Sequence, residues 1–195
     1  EIVREMFNES VKSLRTSDNA EIPIDIYAMD KKINEFERDV RRKVMTHLAV
    51  GGKEDIGSGL ILVSVVIDIE RMGDYTKNIY DLAVQHPKKL AAGSFEDTLT
   101  DMEKTTKEFL NQAIDAFKQQ NIDSARTLMT NYKKDISSIS NEIVNNIVSG
   151  QNAGFSPDKA GALCLYARYL KRIAAHSRNL VSSIVNPFER IGYPE

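Results

Sequence analysis

Residues 62–83, LVSVVIDIERMGDYTKNIYDLA, decide the fold of this 195-residue chain. The apolar and small side chains of the segment recur every three or four residues, at Leu62, Val65, Ile69, Met72, Thr76, Ile79 and Ala83. This spacing places them on one face of an α-helix. Trp is absent, and no long run of alternating apolar and polar residues supports a sheet. The sequence therefore predicts an all-α fold.

The same spacing recurs in five other segments, which lie at 3–14, 26–44, 99–116, 129–147 and 163–184. Glycine and proline interrupt the pattern between segments, at Gly51-Gly52, Gly57, Pro87 and Gly93. Ser156 followed by Pro157 is typical of a helix start. Asp18 to Glu21 resembles a capping box ahead of Pro23. The sequence predicts six helices joined by short links.

Two pairs of segments match at constant offsets. Adding 103 to the second apolar stripe gives the fifth, and adding 101 to the third gives the sixth, so the second copy is expected to have a link two residues shorter. Two tandem three-helix bundles, at 1–90 and 93–190, explain this better than one irregular bundle. By the offset of 103, the counterpart of Phe95 lies before Glu1, so the first helix is expected to be about two turns shorter than the fourth.

Composition excludes several classes of protein. Lys and Arg number 26 against 28 Asp and Glu, which argues against a nucleic-acid-binding protein because such proteins need a basic surface. The longest apolar stretch is interrupted at Ser64 and ends at Asp68, far short of the roughly 20 residues that cross a bilayer. No membrane insertion is expected. The lone Cys164 rules out an internal disulfide and indicates a reducing compartment.

Residues for catalysis are also missing. The three histidines lie in different segments, and none follows a Glu at the spacing of three that di-iron bundles use. No glycine-rich phosphate loop occurs. Cys164 lies beside an apolar stripe, where a lone cysteine is usually a small buried hydrophobic residue. We therefore expect no catalytic residue, no bound organic cofactor and no enzymatic activity.

Residues 70–74, ERMGD, carry the candidate binding site. Glu70 and Asp74 are four residues apart, so their carboxylates project from the same helix face and repel each other unless a cation lies between them. Gly73 costs about 1 kcal/mol relative to Ala in a helix interior, yet it lets a neighbouring group approach closely. This combination indicates a place where something binds or packs against the third helix.

Antiparallel packing of the second and third helices adds oxygen atoms to this face. Folding about the link near residue 53 places Glu70 opposite residue 36 and Asp74 opposite residue 32. The polar residues alongside are Asp30, Asn34 and Glu37. Such oxygen-rich sets suit hard or borderline divalent cations. The alternative is an acidic surface neutralised by nearby cations, namely Lys31, Lys32, Arg71 and Lys77.

The offsets predict that the second unit has lost these acids. The replacements are Lys171 for Glu70, Ala174 for Gly73, Ala175 for Asp74, Lys133 for Asp30 and Ser137 for Asn34. Basic and small residues do not bind a metal cation. A second metal site is therefore not expected.

The segment ERMGDYTKNI at 70–79 resembles the signature of the PhoU family of phosphate-transport regulators. The DKKI segment at 30–33, the NPF segment at 186–188 and the tandem repeat agree with this resemblance, which covers essentially the whole chain. The second-unit segment RIAAHSRNL at 172–180 resembles the family only in its frame.

The resemblance implies a cytoplasmic negative regulator without enzymatic activity. PhoU-like proteins couple the ATPase subunit of a phosphate ABC transporter to a sensor histidine kinase. Some members bind iron or zinc clusters through carboxylate-x-x-x-Asp motifs, which Glu70 and Asp74 match, while Asp30 matches the start of the partner motif. Asn34 stands where the family has Asp, which weakens the expected site. The expected metal is iron, zinc or another divalent cation, or none.

Two other hypotheses remain compatible with the sequence. The chain could be a PhoU-like cytosolic domain of a sodium–phosphate cotransporter, since it begins at Glu1 without Met. It could also be a metal-binding helical bundle, including an enzyme built on a carboxylate-bridged metal. A homodimer is compatible with each of these hypotheses.

Overall fold

The computed structural model describes residues 1–51, 53–86, 88–151 and 154–195, so Gly52 and Pro87 of the predicted links lie outside the described residues. Six long helices follow one another in this part of the chain: α1 (Ile2–Thr16), α2 (Ile26–Val50), α3 (Ile56–Gln85), α4 (Glu96–Gln119), α5 and α6 (Pro157–Val185). Helix α5 is continuous from Ile122–Tyr132 through a π-helical turn, Lys133–Ser137, to Ser138–Val148. Short 3₁₀ turns lie at Lys53–Asp55, Gly93–Phe95 and Phe188–Arg190. No strand occurs in the described residues, and the all-α prediction is confirmed.

Polar residues mark the helix starts, though not always where the sequence predicts them. Ser156 precedes α6, with Pro157 in the first turn as predicted. Helix α2 starts later than the capping box suggested, because the carboxylate of Asp25 accepts a hydrogen bond from the backbone N–H of Ala28. The prediction of a capping box from Asp18 to Glu21 is therefore wrong. The hydroxyl of Ser17 orders that link instead, since it accepts a hydrogen bond from the Glu21 N–H at 2.9 Å.

Helices α3 and α6 form the centre of the molecule. They share the most extensive contact between any two elements, while α1 and α2 pack on α3, and α4 and α5 pack on α6. The buried apolar residues of all six helices form one continuous cluster. Burial of this shared apolar surface is the main favourable contribution to folding. The two units therefore share one core along the α3–α6 contact.

A second link between the units runs from α1 to α4. Arg15 forms an ion pair with Glu96, and its Nε lies 2.7 Å from Oε1 of Glu103. The N–H of Leu90 donates to the carbonyl of Leu14 at 2.8 Å, which fixes the connection between the units against α1. Helix α1 has 15 residues against 24 in α4, so it is shorter, as expected.

The structure corrects the predicted length of the link in the second unit. Helix α2 ends at Val50 and α5 at Val148, so these ends differ by 98 residues rather than 103. The link before α6, 149–156, is longer than the link before α3, 51–55, whereas a shorter one was predicted. The helix ends differ, but the contacts keep the predicted register: Lys77 lies against Asp30, and Arg178 lies over the ring of Tyr132 at 4.8 Å. The division at 1–90 and 93–190 stays a prediction.

Candidate functional site

Helices α2 and α3 approach closely at a glycine. A Cβ atom on Gly73 would lie 2.8 Å from Cδ1 of Ile33, so the glycine makes room for the buried isoleucine. This contact agrees with the predicted antiparallel register, which placed residue 32 opposite Asp74. It brings carboxylates from both helices to one surface, here called the acidic seam, which consists of Asp30, Glu37, Glu70 and Asp74.

Lys77 joins the two helices across the acidic seam. Its Nζ lies 2.8 Å from Oδ2 of Asp30 on α2 and 3.4 Å from Oδ1 of Asp74 on α3. Burial lowers the pKa of Lys77, but the hydrogen bonds and charges of the two carboxylates outweigh it and raise the pKa overall. Lys77 is therefore charged and acts as an internal counter-ion for both acids.

Arginine side chains neutralise the remaining acids. Nη1 of Arg71 lies 3.1 Å from Oδ2 of Asp74, and Nε of the same arginine lies 3.5 Å from Oε2 of Glu70. On α2, Nη1 of Arg41 lies 3.2 Å from Oε1 of Glu37. The sequence also allowed an acidic surface neutralised by nearby cations, and Arg71 and Lys77 form the ion pairs that this alternative predicts.

Glu70 is the acid of the seam with a perturbed pKa. Burial raises the pKa of Glu70, and the negative charge of Asp74 raises it further, against a lowering by the charge of Arg71. Only 13% of the Glu70 side chain is exposed. Glu70 and Asp74 therefore act on each other, as their spacing predicts.

Asn34 is a donor in this arrangement. Its Nδ2 lies 3.0 Å from the backbone carbonyl oxygen of Asp30 and 3.3 Å from Oδ2 of the same residue. The amide thus supports the carboxylate that Lys77 contacts. An Asp at this position would instead add another negative charge.

The seam as built does not fit a metal ion. Among the described residues, no three His, Cys, Asp or Glu side chains are arranged to hold one. The ammonium group of Lys77 lies between Asp30 and Asp74, and a divalent cation there would have to displace it. Metal binding remains a prediction for the residues named from the sequence, Glu70, Asp74, Asp30, Asn34 and Glu37.

The matching face of the second unit is basic, as predicted from Lys171. Nη1 of Arg168 and Nζ of Lys171 lie 2.8 Å and 2.9 Å from Oδ1 of Asn141. Lys133 and Ser137, which the sequence paired with this face, form no hydrogen bond with Lys171. Arg168 and Asn141 were missed because their counterparts by these offsets, Ile67 and Arg38, are not acids of the seam.

A polar cluster between the two units was also missed. The buried carboxylate of Asp68 on α3 lies 2.7 Å from Nδ1 of His176 and accepts a hydrogen bond from Nδ2 of Asn179 at 3.0 Å, both on α6. The ring of Tyr75 stacks on His176 at 5.7 Å between centroids. The available signal was an Asp inside an otherwise apolar run, because a buried carboxylate needs partners.

The sequence matches one family over most of its length. The family model described as the PhoU domain matches twice, at residues 1–83 and 99–184. The chain is also 24% identical over 187 residues to the "Phosphate-specific transport system accessory protein PhoU homolog 1" of Thermotoga maritima, an alignment that covers 94% of this chain and 80% of that protein.

Solved structures share the fold. PhoU from Pseudomonas aeruginosa superposes with a TM-score of 0.78 at 20% identity, covering 94% of this chain and 88% of that one. The phosphate transport system regulatory protein PhoU from Streptococcus pneumoniae gives a TM-score of 0.80 at 20% identity, covering 94% and 86%. With two PhoU-domain matches in tandem and this fold, the chain belongs to the PhoU family.

Proposed function

We propose that this protein is a non-enzymatic negative regulator of phosphate uptake and of phosphate-starvation signalling. It acts in the cytoplasm by binding the ATPase subunit of a phosphate ABC transporter, a sensor histidine kinase, or both. The observation that carries the proposal is the PhoU-domain match over both halves of the chain. The names of the Thermotoga and Streptococcus proteins, an accessory and a regulatory protein of phosphate transport, support it.

The arrangement of charges supports action by binding. The acidic seam runs along the outside of two helices and uses its cations to neutralise its own acids. The second unit presents Arg168, Lys171 and Arg172 on the matching face. Charged surfaces of opposite sign on one helical scaffold suit selective docking on a protein partner. No helix among the described residues is long and apolar enough to cross a membrane.

Co-purification tests the proposal. The tagged chain is expressed in its native cells, and the ATPase subunit and histidine kinase of the same phosphate system are detected in the captured material by mass spectrometry. We expect capture of at least one of the two, with an unrelated ABC ATPase as the control. Deletion of the gene should switch on phosphate-starvation genes in phosphate-rich medium. Capture of neither protein, together with unchanged gene expression, would contradict the proposal.

A further inference from the structure

The two units balance their surface charges in different ways. In the first unit, Lys77 and Arg71 neutralise the acidic seam from within. In the second unit, no Asp or Glu oxygen of the described residues forms an ion pair within 4.0 Å of Arg168 or Lys171. Two half-buried cations therefore lie together without a negative partner.

A neutral amide takes the place that a counter-ion would have. Oδ1 of Asn141 accepts a hydrogen bond from Arg168 at 2.8 Å and another from Lys171 at 2.9 Å. Because both donors converge on one oxygen atom, any oxyanion that replaced it would meet both positive charges at once. The Asn141 side chain also carries an amide N–H₂ group, which is able to donate to an anion.

The lysine shows the effect of the missing partner. Burial lowers the pKa of Lys171, and the like charges of Arg168 and Arg172 lower it further, with no carboxylate acting in the opposite direction. A bound anion would remove this repulsion. Arginine and lysine form their strongest hydrogen bonds with carboxylate and phosphate oxygens, since the donor and the acceptor then carry opposite charges.

We propose that Arg168, Lys171 and Asn141 form a binding site for a divalent oxyanion, namely inorganic phosphate. A dianion matches the two positive charges, whereas a single carboxylate would leave one unbalanced. The guanidinium group offers two parallel N–H donors to a phosphate, and the ammonium group adds a compact charge. The site rests on this geometry, and its role in phosphate regulation rests on the proposed function.

The experiment measures phosphate binding to the full chain by isothermal titration calorimetry, with sodium chloride of equal ionic strength as the blank. Asn141→Asp supplies an internal counter-ion at the same position and should weaken phosphate binding at least tenfold. Lys171→Met should do the same by removing one charge. Asn131→Asp adds the same negative charge at an exposed position of α5 and should bind like the wild type.

The outcomes separate the site from the wider proposal. Phosphate binding by the wild type that is lost in Asn141→Asp and kept in Asn131→Asp supports the site. The inference is overturned if the wild type shows no phosphate binding, if Asn141→Asp binds equally well, or if a Glu-rich peptide binds where phosphate does not. Partner capture is measured separately, so the regulatory function can stand when the phosphate site fails.

Discussion

At the scale of single residues, Lys77 determines the chemistry of the acidic seam. Its ammonium group contacts Asp30 at 2.8 Å and Asp74 at 3.4 Å, and the Asn34 amide lies 3.3 Å from the same Asp30 oxygen. An ammonium group and a divalent cation compete for the same carboxylate oxygens. We therefore expect the side chain at position 77 to control whether the seam can accept a metal.

Substitution of Lys77 by Met tests this competition. The variant removes the internal cation and leaves two carboxylates without it, so we expect its affinity for Zn²⁺ to rise at least tenfold. Lys31→Met, which removes an exposed lysine from the same helix pair, is the control. Zinc is measured by elemental analysis after dialysis and by calorimetric titration. Stoichiometric metal in the purified wild type would show that Lys77 does not exclude it.

Glu70 gives a second prediction at this scale, through pH. Its folded-state pKa is raised above the ordinary value of 4.5, so the protonated form favours folding. Stability from this group is present below about pH 4.5 and is lost as the pH rises through the folded-state pKa. Because Asp74 contributes to the shift, Asp74→Asn should lower the Glu70 pKa in an NMR titration of the side-chain carboxyl.

The control is Asp39→Asn, which removes an acid on α2 that pairs with Lys43. This change should leave the Glu70 pKa unaltered. Glu70→Gln should also flatten the loss of stability between pH 4.5 and neutrality in urea unfolding curves. A Glu70 pKa at or below 4.5 in the wild type would refute the assignment.

At the scale of helices, apolar periodicity predicts that a helix exists and which of its faces is buried. It does not predict where the helix ends. The stripes locate all six helices, and the Ser156-Pro157 pair locates the start of α6. The length of the link before α6 was predicted wrongly because an apolar stripe does not fix where its helix ends. The π-helical turn at Lys133–Ser137 was not predicted, because no residue pattern in this segment indicates it.

The candidate sites also differ in how far the sequence predicts them. The acidic seam was predictable because Glu70 and Asp74 lie one turn apart and α2 must fold back on α3 across a short link. The Asp68 cluster and the Arg168–Asn141 contact were not, since each depends on how two distant helices meet. The spacing of residues within one helix does not predict which residues of two distant helices come into contact.

Asp68 gives the prediction at this scale. Asp68→Ala leaves His176 and Asn179 without their shared acceptor at the α3–α6 contact, and leaving these part-buried donors unpaired costs at most about 1–3 kcal/mol. We expect the free energy of unfolding in urea to fall by about that amount. Asp101→Ala, an exposed position on α4, should change it little. Equal effects of the two substitutions would show that the cluster contributes nothing to stability.

At the scale of the whole molecule, one core supports two chemically different faces. Helices α3 and α6 are buried against each other, so the outer surfaces of the two units are held in a fixed relation. One surface is acidic and internally neutralised, and the other is basic and has no counter-ion in the part of the chain that the structure describes. Because such charges steer and select partners, we expect that the two units are not interchangeable in binding.

Substitutions that change the charge of each face test which unit contacts the partner. Lys171→Glu with Arg172→Glu should weaken capture of the ATPase subunit or kinase, because reversal replaces attraction by repulsion at the contact. The matched variant Glu70→Ala with Asp74→Ala changes the other face and should leave capture intact. Helicity measured by circular dichroism should be unchanged in both, since none of the four residues belongs to the apolar core. If capture survives the first variant and is lost in the second, the acidic unit is the docking surface and the roles of the two faces are exchanged.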